Sequence, residues 1–160
     1  MSRAELTLPL TGGCFCGACR YELTAAPYCV YVCHCTDCQR QSGSAFNMTM
    51  LAPRADFRFT AGEPARFART TAGGRETAIR FCGTCGSRLA AESSPETVGV
   101  RPGTLDDTRW LAPVAQFWTP SGHAWAVVNG VHAEDGNPAD IRALTRAFRQ
   151  TGPVFVAATS

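Results

Sequence analysis

All but one of the 9 cysteines of this chain fall into three short clusters: Cys14-Phe-Cys16-Gly-Ala-Cys19, Cys33-His-Cys35-Thr-Asp-Cys38 and Cys82-Gly-Thr-Cys85-Gly86. That grouping constrains the fold more than any other feature. Cysteines one or two residues apart seldom have the geometry to bridge each other, but they suit a shared metal ion. Zinc takes soft thiolates at about 2.3 Å, and a Cys-x-x-Cys turn followed by small residues aims both sulfurs at one point. Gly83 and Gly86 let backbone amides approach those sulfurs and offset their charge. Cysteines used as small buried hydrophobes would have no reason to cluster.

The spacing leaves the first ligand set open. Cys16-Gly-Ala-Cys19 mirrors Cys82-Gly-Thr-Cys85, which favours those four. The rival set is Cys14 and Cys16 with Cys82 and Cys85. Either supplies four thiolates and no open position, which makes a structural site. The second cluster offers three, Cys33, Cys35 and Cys38. A zinc with three protein ligands keeps a position for water or substrate, as catalytic sites do. Cys29, four residues before Cys33, could close that site. His34 points away from its neighbours if the chain is extended there, so it is expected to be supporting or solvated rather than a ligand.

The rest of the chain reads as short extended runs divided by Gly and Pro. Residues 20–23, 28–32, 46–51, 57–59, 66–69, 77–81, 98–100 and 114–118 have strand character. Their regular spacing predicts a mainly β fold of antiparallel sheets with short helical segments. One helix is predicted near the end, with Asn137 as N-cap, Pro138 at the first position, and Ile141, Leu144 and Phe148 as its packing stripe. Gly152-Pro153 should stop it. Arg142, Arg146 and Arg149 should form a solvated face, and residues from Val154 onward a loose tail, with docking through 154–156 as the alternative. With 160 residues, one domain is expected: a metal-binding region over 1–135, with a helix and tail over 136–160 packed on it.

The formal net charge of +2 gives no reason to expect nucleic acid or an anionic membrane. All 15 basic residues are arginines and form no basic block. The start of the chain lacks a basic, apolar leader pattern, no window is long and apolar enough to span a membrane, and the clustered cysteines suit a reducing compartment, so a cytoplasmic setting is expected.

Three ordered segments together resemble the glutathione-dependent formaldehyde-activating enzyme and centromere protein V family: residues 12–22, 33–46 and 81–89, with Arg101-Pro-Gly-Thr-Leu-Asp-Asp107 in support. The resemblance spans roughly residues 10 to 130. It implies a zinc-bearing β-tent fold and two zinc ions per chain. It assigns a structural zinc to Cys14, Cys16, Cys82 and Cys85, and a catalytic or exchangeable one to Cys33, Cys35 and Cys38. Cys19 stands where the family usually has an apolar residue, so it remains the challenger ligand.

The resemblance further implies a carbon–sulfur lyase or synthase that joins glutathione, or a similar thiol, to a small aldehyde such as formaldehyde. A thiol on zinc is deprotonated, and zinc can also polarise a carbonyl. Three thiolates around a divalent ion leave one negative charge, and Arg40 is the nearest candidate to offset it. Gln39, Ser42 and Ser44 could bond a peptide-like ligand, with Gly43 allowing close approach. Trp110, Trp118 and Trp125, with Phe117, are expected in core and rim, and His123 and His132 on the surface. The expected partner is a small thiol, with no nucleic acid and no membrane, for a monomer or homodimer. The rival readings are a non-enzymatic zinc-binding interaction module and a thiol or zinc redox sensor.

Overall fold

Short strands dominate because the chain is interrupted every few residues by Gly, Pro and polar turns, and β-branched or aromatic residues fill the runs between. The computed structural model describes residues 3–70 and 74–158. In chain order the elements are β1 (Glu5–Leu8), β2 (Leu10–Gly13), β3 (Arg20–Leu23), β4 (Cys29–Cys33), α1 (Thr36–Ser42), β5 (Asn47–Pro53), β6 (Phe57–Ala61) and β7 (Ala65–Thr70). They continue with β8 (Glu76–Phe81), β9 (Arg88–Glu92), β10 (Thr97–Val100), β11 (Ala115–Phe117), β12 (His132–Glu134), α2 (Ile141–Thr151) and β13 (Val154–Ala157). The protein is mainly β, as its sequence predicts.

Three sheets form. The large one has eight strands in the order β12-β11-β4-β5-β10-β9-β8-β7. The second has three, β2-β3-β6, and the third pairs β1 with β13. Most pairings are antiparallel, but β1–β13, β11–β12 and β11–β4 are parallel. The core includes Leu10, Tyr21 and Leu23 of the small sheet and Val30, Met50, Leu89, Val98, Val100 and Phe117 of the large one. Each such side chain contributes about 1.5–3 kcal/mol through burial.

Two expectations are corrected here. The final helix begins later than predicted. Its N-cap is Asp140, whose carboxylate accepts from the amides of Arg142 (2.8 Å) and Ala143 (3.1 Å). An anionic cap also suits the positive end of the helix. Asn137 is occupied elsewhere, accepting from Trp118 Nε1 at 3.2 Å. Second, residues 154–157 are no loose tail: they pair with β1, and Phe155 packs on Trp110 and Phe148. Residues 36–42 supply one of the short helical segments that the sequence predicts. The predicted stripe holds, with Leu144 and Phe148 buried, and Arg142, Arg146 and Arg149 are exposed. No helix of the described residues is long and apolar enough to cross a membrane.

Candidate metal centres

Two hairpin loops build the first centre. Residues 14–19 join β2 to β3, and the Cys14 amide donates to the Cys19 carbonyl (3.0 Å) to close the loop. Residues 82–87 join β8 to β9, and Cys82 N donates to the Ser87 carbonyl (2.9 Å). The Phe15 amide donates to Ser87 Oγ at 3.0 Å and so ties one loop to the other. The four sulfurs of Cys14, Cys16, Cys82 and Cys85 all lie within 4.8 Å of one another. Cys14 Sγ is 3.5 Å from Cys16 Sγ, which is 3.7 Å from Cys82 Sγ. Four sulfurs at about 2.3 Å from one ion sit roughly 3.8 Å apart, so this set fits a metal ion. Because one loop belongs to the small sheet and the other to the large sheet, a metal here would staple the two together.

Backbone donors prepare these sulfurs for negative charge. The Cys19 amide donates to Cys14 Sγ (3.2 Å) and lowers that thiol's pKa. The Ser87 hydroxyl and amide, with the Cys16 amide, bring Cys85 down to about 5. Cys19 itself is buried, and burial together with the sulfurs of Cys82 and Cys14 pushes its thiol up to about 11. It touches the cluster but stands outside the group of four.

The second centre lies where β4 gives way to α1. Cys33 ends β4, Cys35 caps the helix, and Cys38 sits in its first turn. The Cys38 amide donates to Cys35 Sγ at 3.3 Å, so a thiolate does here what an aspartate does at an ordinary N-cap. The three sulfurs also lie within 4.8 Å of one another. Donation from Cys33 and Cys38, and from backbone amides, brings Cys35 down to about 2, while Cys33 is driven up by Cys35, Cys38 and burial.

Cys29 does not complete the second set. Four residues of extended chain separate its Cα from that of Cys33 by ~13 Å, and it is buried in the core with its thiol pushed up to about 12 by burial. His34 is not solvated: it is 1% exposed, its Nε2 meets Gln116 Oε1 at 3.3 Å, and its ring stands edge-on to Phe46. Arg40 is exposed at the outer side of α1. Gln39 serves the framework instead, since its Nε2 donates to the carbonyls of His34 (2.7 Å) and Ser121 (2.8 Å) and so pins α1 to the loop after β11. Ser42 Oγ donates to Phe46 O (3.0 Å), and Ser44 is exposed.

Arg69 on β7 holds α1 from another side, through Asp37 at 2.7 Å. The residues that sequence reasoning missed are Arg88 and Arg101. The charge of Cys38 acts on both guanidiniums, and Arg101 Nη1 donates to Thr49 Oγ1 at 2.6 Å. Both lie in segments that carry the family resemblance, residues 81–89 and 101–107, but only their position among the strands relates them to the second centre. Trp110 and Phe117 are core or rim as expected, whereas Trp125 is 80% exposed and stacked on His123. His132 is at the surface and meets Glu134 at 2.9 Å.

A mainly β protein with two cysteine clusters able to hold metal ions is the class that fold and site define. The family model of the glutathione-dependent formaldehyde-activating enzyme matches residues 9–121, and the chain belongs to that family. Among solved structures, the chain is similar to a Rhodobacter sphaeroides protein determined by crystallography in a structural genomics programme. The two are 20% identical, with a TM-score of 0.51 over 78% of this chain and 99% of that one. That likeness supports the fold.

Proposed function

We propose that the protein makes or breaks a carbon–sulfur bond between glutathione, or a similar small thiol, and a small aldehyde such as formaldehyde, at a zinc held by Cys33, Cys35 and Cys38. A second zinc on Cys14, Cys16, Cys82 and Cys85 is structural. One observation carries the reading: in a chain of this family, the second cluster contributes three sulfurs and, among the described residues, no fourth Cys, His, Asp or Glu joins them. An ion there keeps a place for a ligand from solution.

The zinc, when bound, supplies an anionic thiol and a Lewis acid. The chain's own residues do the rest. Cys33, Cys35 and Cys38 hold the centre at the strand–helix junction. Gln39, Asp37 and Arg69 keep α1 in place, and the His34–Gln116 pair fixes the backbone between Cys33 and Cys35. In the forward direction the thiol sulfur attacks the aldehyde carbon and a carbon–sulfur bond forms. The carbonyl electron pair moves to oxygen, which takes the proton the thiol gave up. The reverse step breaks the same bond and returns that proton to sulfur.

Titration of the metal-loaded protein with reduced glutathione in a calorimeter tests this, with S-methylglutathione as control. Saturable binding that requires the free thiol is expected. Absence of binding at millimolar glutathione would overturn the reading.

A further inference from the structure

Arg88 and Arg101 direct positive charge towards the second centre, with no Asp or Glu ion-pair partner among the described residues. Arg88 Nε, Nη1 and Nη2 and Arg101 Nε are buried with no hydrogen-bond acceptor among the described residues. Neither side chain joins an ion pair with Asp or Glu there, while exposed arginines such as Arg20, Arg58 and Arg109 do. Arg101 reaches Thr49, which faces Tyr31 across the β4–β5 ladder. Two residues along on the same face, Asn47 lies opposite Cys33, and its Nδ2 is also buried without an acceptor. Donors thus collect around the strand end that carries Cys33.

A buried cation is costly unless an anion faces it. The anions in reach are sulfurs: Cys38 acts on both guanidiniums and Cys33 on Arg101. Burial and the charge of Arg101 bring Arg88 down to about 10, with Cys38 pulling the other way. Three thiolates around a divalent ion carry one net negative charge, and two guanidiniums carry two positive ones. One positive charge is left over, which one further anion would neutralise. A neutral fourth partner would leave it uncompensated in a poorly screened place.

We propose that Arg88 and Arg101 are positioning residues that select an anionic fourth partner, a thiolate, over a neutral one at the Cys33, Cys35 and Cys38 centre. This rests on the open-site reading above. They act through charge and need not touch the ligand, which suits the buried nitrogens Arg88 Nε, Nη1 and Nη2 and Arg101 Nε.

The test uses the full chain loaded with cobalt(II), whose visible absorption reports its ligands. Azide serves as a simple anion, 2-mercaptoethanol as a thiol without a carboxylate, and imidazole as a neutral ligand. Arg88→Gln and Arg101→Gln should keep the wild-type metal content and lose about tenfold or more in affinity for azide and 2-mercaptoethanol. Imidazole affinity should not fall, and Arg88→Lys and Arg101→Lys should restore anion binding. If the glutamine variants fail to fold, the lysine variants still decide, because a tenfold loss in them refutes a role through charge. An unchanged ratio of anion to imidazole affinity in both glutamine variants overturns the inference. So does a loss confined to glutathione, which would place the guanidiniums on the ligand's own carboxylate. If the wild-type protein binds none of the three probes, the site is closed and the proposed function fails with it.

Discussion

Gly62→Ala should damage the first metal centre from a residue outside it. Gly62 follows β6 with φ +68°, and a Cβ built there would stand 2.1 Å from the Ala18 carbonyl oxygen and 3.2 Å from Cys19 Cα. The left-handed backbone alone costs an alanine roughly 1 kcal/mol. The overlap is with backbone, so the two segments must part by about 1 Å, and overpacking of this kind costs about 1–3 kcal/mol. The combined loss is roughly 2–4 kcal/mol, or a Tm lower by roughly 5–15 °C in a chain of this size. The displaced segment carries the Cys19 amide that donates to Cys14 Sγ, so metal content should fall as well. Gly17→Ala is the control. Gly17 lies in the same loop with φ +79° but has open space around its Cβ position, so only the backbone cost of about 1 kcal/mol applies. Calorimetric melting and metal analysis of both variants read the difference. If the two melt within about 2 °C of each other with equal metal content, the packing argument is wrong.

Cys82→Ser should strip the first metal and unfold or sharply destabilise the protein, because structural zinc binding in small domains amounts to about 10–16 kcal/mol, as much as a whole domain's stability. An unchanged melting temperature would remove Cys82 from that role. Cys35→Ser should lower metal content by about one ion per chain and abolish glutathione binding while the fold persists, since its sulfur serves only the second cluster; retention of both ions would refute this. Arg20 and Thr11 hold the Asp106 carboxyl below its ordinary range. The stability they add is therefore present above about pH 4 and fades as pH falls through the lower folded value. Both partners are partly exposed, so the effect is under about 1 kcal/mol. Asp106→Asn should flatten the acid limb of a denaturation series, and an identical limb would count against the pair.

The strands that were legible in the sequence are those with their own apolar signature, such as β3, β8 and β10. Among those that were not are β2, β9 and β12, whose residues are mostly small or polar and become strands because neighbours supply their ladders. The helix α1 was hidden for a different reason. Its Thr-Asp-Cys-Gln-Arg-Gln-Ser run has no buried face, so no periodicity marks it, and its cap is a cysteine rather than a serine or aspartate.

Local spacing by itself determined that the cysteines would cluster and that the cluster of Cys33, Cys35 and Cys38 would offer three sulfurs. These follow from residues a few positions apart, whose geometry short turns control. Tertiary structure alone decided which distant partners met. It brought the loop after β2 to the loop after β8. It also passed over Arg40 and buried guanidinium nitrogens of Arg88 and Arg101 where the charge of Cys38 acts on them. Strand register across the sheets sets those meetings, and register is a property of the assembled ladders rather than of any one segment.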